Sequence, residues 1–157
     1  MTKAIYFDMD GTIANLYEVE GWLPCLETYK TKPYREAKPL VNMRDLGRLL
    51  NKLQREGYHI GIISWLSKAH NAEYDERVTN TKRKWLNRHL SAVKWDEIEI
   101  VPYGTPKSEC VKYADGILFD DEERNRKEWV GTAHDVNNIL ETLASLLYGE
   151  PSRPGHL

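Results

Sequence analysis

The sequence predicts an α/β protein, with a parallel sheet of about five strands covered on both faces. Two observations carry this. Short, nearly all-apolar runs recur along the chain, as in Ala4-Ile5-Tyr6-Phe7, Ile60-Gly61-Ile62-Ile63 and Ile117-Leu118-Phe119. That is the pattern of strands buried on both sides. Segments with leucines at three- and four-residue spacing separate them, and such alternation implies parallel strands joined by helical crossovers. A third observation says where function sits. Two of the runs end in acids, at Asp8 and Asp10 and again at Asp120 and Asp121. Ligands in such sheets bind outside the carboxyl ends of the strands.

The bulk properties suit this class. At 157 residues the chain has the length of one domain. A chain of that size buries about 68–70% of its unfolded surface and needs no staples. We expect the domain over residues 1–150, with a flexible tail over 151–157. A formal net charge of −2 argues against strong binding to nucleic acid, which needs a basic face. Cys25 and Cys110 form neither a CxxC pair nor a zinc spacing, so free thiols in a reducing compartment are expected. No apolar stretch approaches a membrane span and no signal core is visible. The expectation is a soluble cytoplasmic protein with no membrane partner, and an oligomer stays open.

In chain order, Lys3 to Asp8 is the first strand, followed by a turn at Gly11. Residues 15–38 hold Trp22, Leu23, Leu26 and Tyr29, with Pro24, Pro33 and Pro39 as breaks. This stretch reads as a small insertion over the site, with one short helix after Pro24. Asn42 to Glu56 is an amphipathic helix built on Leu46, Leu49, Leu50 and Leu53, closed by Gly57. Tyr58 to Ser64 is the second strand. Ser67 to Asp75 reads as a loop, and a helix follows over about Glu76 to Leu90. Ile98, Ile100 and Val101 form a third strand. Thr105 and Pro106 predict the cap and first position of a short helix ending near Ala114. Gly116 to Phe119 is the fourth strand, and a charged segment runs to Glu128. A short strand near Thr132 to His134 and a helix from Val136 to Tyr148 complete the chain.

Asp8 and Asp10 lie two apart in an extended segment, so both can face one small volume. Two carboxylates about 4 Å apart repel by about 1 kcal/mol in water and about 4 kcal/mol at an effective dielectric near 20. A strand that runs straight into such a pair implies a cation. An Asp-Gly turn explains Asp10 locally, but not Asp8. Acids before a helix also explain Asp120 and Asp121 locally. Two strands ending in paired acids, however, make a carboxylate cluster suited to Mg²⁺. Ser64 stands where a hydroxyl could donate to a phosphate oxygen, and Trp65 reads as a plug of the core edge rather than a stacking surface. Lys107 sits near a helix start, where a cation is unfavourable by about 0.3–1 kcal/mol unless an anion compensates it. Lys82-Arg83-Lys84, with Arg88 and Lys94, reads as the solvated face of a helix. The five histidines show no metal spacing, and there is no nucleophile elbow or Walker loop.

Phe7-Asp8-Met9-Asp10-Gly11-Thr12 resembles the first signature of the haloacid dehalogenase superfamily. Ile62-Ile63-Ser64 resembles the second, Lys107 the third, and Leu118-Phe119-Asp120-Asp121 the fourth, in the same order. The resemblance implies a Rossmann-like three-layer α/β/α fold and a Mg²⁺-dependent phosphomonoester hydrolase. Asp8 would be the nucleophile that forms an aspartyl-phosphate, and Asp10 the general acid and base. Asp8, the Asp10 main-chain carbonyl and Asp121 would hold the metal, with Asp120 in support. Ser64, Lys107 and Thr12 would hold the phosphoryl oxygens. An acid at Asp10 favours phosphate esters, because dehalogenases of this superfamily lack it. The insertion at residues 15–38 sits where the superfamily places its first cap, but is far smaller. Such a lid leaves the site open, which suits a bulky substrate or a partner that completes the enclosure. Thr81 to Leu86 resembles deoxyribonucleotidase-like members, whose helical cap is larger, so a small phosphate ester, a nucleotide among the candidates, is the expected partner.

Two other classes use related features. A phospho-acceptor signalling module of the receiver type also has acids at strand ends, but places its acceptor aspartate on a middle strand. Here Ser64 and Pro102 follow the second and third strands. A catalytically silent binding protein would keep the fold and lose the chemistry, yet every catalytic position of the resemblance is filled.

Overall fold

The computed structural model describes residues 2–149, so the tail expected at 151–157 lies outside the described residues. The chain runs through β1 (Ala4–Phe7), the short β2 (Ala14–Asn15), α1 (Trp22–Glu27), α2 (Lys32–Glu36), the short β3 (Lys38–Pro39) and α3 (Met43–Arg55). It continues through β4 (His59–Trp65), α4 (Ala72–His89), β5 (Glu97–Val101), β6 (Ile117–Phe119), α5 (Glu123–Glu128), β7 (Thr132–His134) and α6 (Ile139–Tyr148). Five strands form a parallel sheet in the order β5-β4-β1-β6-β7. The fold class is the one the sequence predicts. β2 and β3 pair antiparallel as a separate two-stranded ribbon at the base of the insertion.

β1 is the middle strand, and its alternate residues serve opposite layers. Ile5 and Phe7 pack with Leu46, Leu50 and Leu53 of α3 and with Leu143 of α6. Ala4 and Tyr6 pack with Ile63, Leu118 and Trp129 on the other face. Each leucine fully buried there contributes about 1.5–3 kcal/mol. A third cluster, with Leu16, Tyr34, Leu66, Tyr74 and Val78, seats the insertion on α4. Among the described residues no helix is long and apolar enough to cross a membrane. Cys25 and Cys110 are free thiols.

Several elements differ from expectation, among them α5, which forms inside the stretch expected only as a charged segment. α4 begins at Ala72, inside the expected loop, because the Asn71 side chain accepts from the Tyr74 N–H at 2.9 Å and caps it. The helix expected from Pro106 to Ala114 is only a 3-10 turn, Lys107–Glu109. Pro106 is extended at ψ 120°, and the Thr105 hydroxyl donates backwards to the Pro102 carbonyl at 2.7 Å instead of capping. The insertion forms two short helices rather than one, and Pro24 and Pro33 lie inside them. Both prolines fall in a first turn, where the missing N–H has no helical partner to lose.

Candidate active site

The candidate residues lie at the carboxyl ends of four neighbouring strands: Asp8, Asp10 and Thr12 after β1, Ser64 at the end of β4, Lys107 after β5, and Asp120 and Asp121 after β6. Asp8 follows β1, and its N–H donates to the Phe119 carbonyl of β6 at 3.0 Å. The chain then turns tightly. The N–H groups of Thr12, Ile13 and Ala14 all donate to the Met9 carbonyl at 3.0–3.1 Å. Gly11 takes φ +83°, and a β-carbon there would sit 2.8 Å from Asp121 Cγ. Only glycine fits both the backbone and the approach of that carboxylate.

Lys107 ties the two acid pairs together. It is buried, with Nζ 2.9 Å from Asp8 Oδ1 and 2.6 Å from Asp120 Oδ2. Burial alone would lower its pKa, but the Asp8 and Asp120 carboxylates outweigh that and hold it above the ordinary lysine value. No α-helix starts at Lys107, so the dipole argument made from the sequence does not apply. Its compensation is the pair of carboxylates. Thr12 is also used within the framework. Its hydroxyl donates to Asp8 Oδ2 at 2.9 Å and accepts from the Asp121 N–H at 3.2 Å.

Asp8, Asp120 and Asp121 each offer an oxygen within 4.8 Å of the others. Burial and the Asp8 charge push Asp120 up to about 6 and Asp121 up to about 8. Asp120 and Asp121 thus hold protons more tightly than ordinary carboxyl groups, and a divalent cation would stabilise the crowded set in place of those protons. Their all-oxygen chemistry fits Mg²⁺. The Asp10 carboxylate is outside this cluster. Any contribution of Asp10 to a metal therefore falls to its main chain.

The Asp10 side chain faces Lys82 instead, with Lys82 Nζ 2.9 Å from Oδ2. Burial pushes the Asp10 carboxyl above its ordinary value, and the Lys82 charge opposes this. Lys82 is 1% exposed and also donates to Ser64 Oγ at 2.7 Å and to the Trp65 carbonyl at 2.8 Å. The expected solvated helix face describes Arg83 and Lys84, which are exposed, but not Lys82. The signal was in the spacing. Val78, Lys82 and Leu86 recur every four residues, so Lys82 lies on the apolar stripe of α4.

Above Asp8, Asp10 and Lys107 opens a cavity of about 520 Å³. Tyr17, Trp22, Tyr29, Tyr34, Trp65 and Tyr103 line it. The insertion supplies the first four. Trp65, read from the sequence as a core plug, is buried yet forms cavity wall, anchored by its indole N–H on the Thr105 carbonyl at 2.8 Å. Ser64 is 1% exposed beneath this floor. The structure thus brings Asp8, Asp120, Asp121, Thr12 and Lys107 into one network, and Asp10, Ser64 and Lys82 into an adjoining one.

No protein-family model and no curated protein sequence matches the chain. Among solved structures, the chain is similar to a D,D-heptose 1,7-bisphosphate phosphatase from Burkholderia thailandensis. The TM-score is 0.54 at 14% identity, over 94% of this chain and 99% of that one. The likeness is one of fold, a Rossmann-like five-stranded parallel sheet flanked by helices.

Proposed function

We propose that the protein is a Mg²⁺-dependent phosphomonoester hydrolase that works through an aspartyl-phosphate on Asp8. The observation that carries this is Lys107, buried and bonded at once to Asp8 and Asp120 under an open cavity. One lysine and three carboxylates converge there, which is the charge arrangement phosphoryl transfer requires.

Asp8, Asp121 and the Asp10 main chain would hold Mg²⁺, with Asp120 in support. Bound there, the ion would supply positive charge against the phosphoryl oxygens. Lys107 would donate to a phosphoryl oxygen, and we assign the same role to the Ser64 hydroxyl. Thr12 acts by orienting Asp8, since its hydroxyl proton is given to Asp8 Oδ2. An Asp8 oxygen attacks phosphorus, and the bond from phosphorus to the leaving oxygen breaks. Asp10, whose raised pKa favours the acid form, gives its proton to that oxygen. Asp10 then takes a proton from a water that attacks the aspartyl-phosphate. The bond from phosphorus to Asp8 breaks, releasing phosphate and restoring both carboxyl groups.

The aromatic cavity supports a nucleotide as the substrate. Stacking a base on an aromatic side chain is worth about 1–3 kcal/mol. The solved relative in fold acts, by its name, on a heptose bisphosphate, so sugar phosphates belong in the same test. The test is phosphate release from nucleoside monophosphates, sugar phosphates and an aryl phosphate with Mg²⁺. Asp8→Asn should abolish release with an unchanged circular dichroism spectrum, and undiminished turnover by that variant would overturn the mechanism. Sugar phosphates outpacing nucleotides would overturn the substrate class alone.

A further inference from the structure

Lys82 has a place in the site that the reading above does not use. A buried ammonium is strongly unfavourable unless paired and fully hydrogen-bonded. Lys82 Nζ meets that condition with three acceptors, Asp10 Oδ2, Ser64 Oγ and the Trp65 carbonyl, at 2.7–2.9 Å. An ammonium has three protons, so this set is complete. The Tyr34 ring of the insertion lies against it, its centroid 5.0 Å from Nζ. The chain has placed a lysine on the apolar stripe of α4 with its head under the cavity floor.

We propose that Lys82 is a positioning residue that sets both the leaving-group acid and the phosphoryl donor. Its bond to Oδ2 holds the Asp10 carboxyl away from the Asp8, Asp120 and Asp121 cluster, so Asp10 stays a proton carrier and does not become a further metal ligand. Its bond to Ser64 fills an acceptor position on Oγ. A hydroxyl has a single proton, and with Lys82 occupying that side, the proton is left to point elsewhere, toward a phosphoryl oxygen. The inference rests on Asp10 serving as the acid in the proposed hydrolysis.

The alternative is a structural pin that joins α4 to the end of β4. The two roles separate by leaving group. A misplaced acid harms an alkyl phosphate, whose alkoxide needs a proton, far more than an activated aryl phosphate, whose phenolate leaves unaided. The experiment compares kcat and KM of wild type and Lys82→Met on both esters with Mg²⁺. General acid catalysis is worth about 10²–10⁴-fold. We therefore expect kcat on the alkyl ester to fall at least about 100-fold, and on the aryl ester about tenfold or less. Mg²⁺ affinity, read by fluorescence titration without substrate, should be unchanged. In an Asp10→Asn background, Lys82→Met should add no further leaving-group dependence. An equal loss on both esters would overturn the proposal, and so would an added dependence in that background. If Lys82→Met does not fold, Lys82→Gln, which keeps a donor, carries the same comparison. Failure of the proposal is distinct from failure of the phosphatase reading. The latter shows as Asp8→Asn turning over the aryl ester, the former as a dead Asp8→Asn with no leaving-group split at Lys82.

Discussion

Asp8 has both carboxylate oxygens engaged before any substrate arrives, one by Lys107 and one by Thr12. Its orientation is fixed by neighbours that come from the far side of the sequence and from its own turn. Lys107→Met would leave Asp8 and Asp120 buried beside each other with no cation. Removing one partner of a buried pair costs about 3–5 kcal/mol, and loss of a charge that stabilises the transition state costs about 10²–10³-fold in kcat. We expect both, read by urea unfolding and by phosphate release. Acidification should return part of the lost stability, because the two stranded carboxylates can then protonate. At this scale the sequence was legible where a residue type breaks its local pattern. Asp8 ends an apolar strand, and Asp120 follows another. Lys82 breaks its pattern just as clearly, being a cation on an apolar helix stripe. It stayed hidden because Arg83 and Lys84 beside it make an ordinary exposed run.

Elements were legible wherever periodicity alone decides them. α3, with its leucine stripe and the Asn42 side chain accepting from the Asp45 N–H at 3.0 Å, falls within a residue of its expected bounds. Elements whose ends depend on a single side-chain bond were not. Thr105-Pro106 has the composition of a helix start, yet the Thr105 hydroxyl is directed to Pro102 and no helix follows. Asn71 does the reverse, starting α4 several residues early. Asn71→Ala should therefore destabilise the protein by about 1 kcal/mol, measured by urea unfolding. Turnover should be unchanged, since Lys82 lies deep inside the helix and fraying of the first turn leaves it in place. A large loss of turnover would show that the start of α4 and the site are coupled.

For the molecule as a whole, the acid cluster sets how stability responds to pH and metal. Asp120 and Asp121 ordinarily titrate at 3.8, and in the folded protein at about 6 and about 8. Between these limits the unfolded chain has released protons that the folded protein still holds. Stability of the metal-free protein therefore falls as pH rises through this window. On the proposed function, Mg²⁺ binding to the deprotonated folded cluster should restore most at the upper end. Thermal melts at about pH 5 and about pH 8 test this. The metal-free melting temperature should drop toward pH 8, and Mg²⁺ should raise it more there. An equal Mg²⁺ effect at both values would mean the cluster does not bind the ion. Fold class was legible because the alternation of apolar runs is a global pattern. The inner structure of the insertion at residues 15–38 was not, because its helices form around prolines at positions that only the finished turn makes harmless.

β1 lies between β4 and β6, so the first strand made is completed by one of the last. Ile5 to Phe7 pair with Ile117 to Phe119, more than a hundred residues downstream. A ribosome adding about 5–20 residues per second needs roughly 5–20 s to bring those segments together. During that interval an all-apolar strand has one edge without its partner. The same wait applies to Asp8, which gains Lys107 only after most of the chain exists. Synthesis thus leaves β1 open to mispairing for seconds before β6 can complete it.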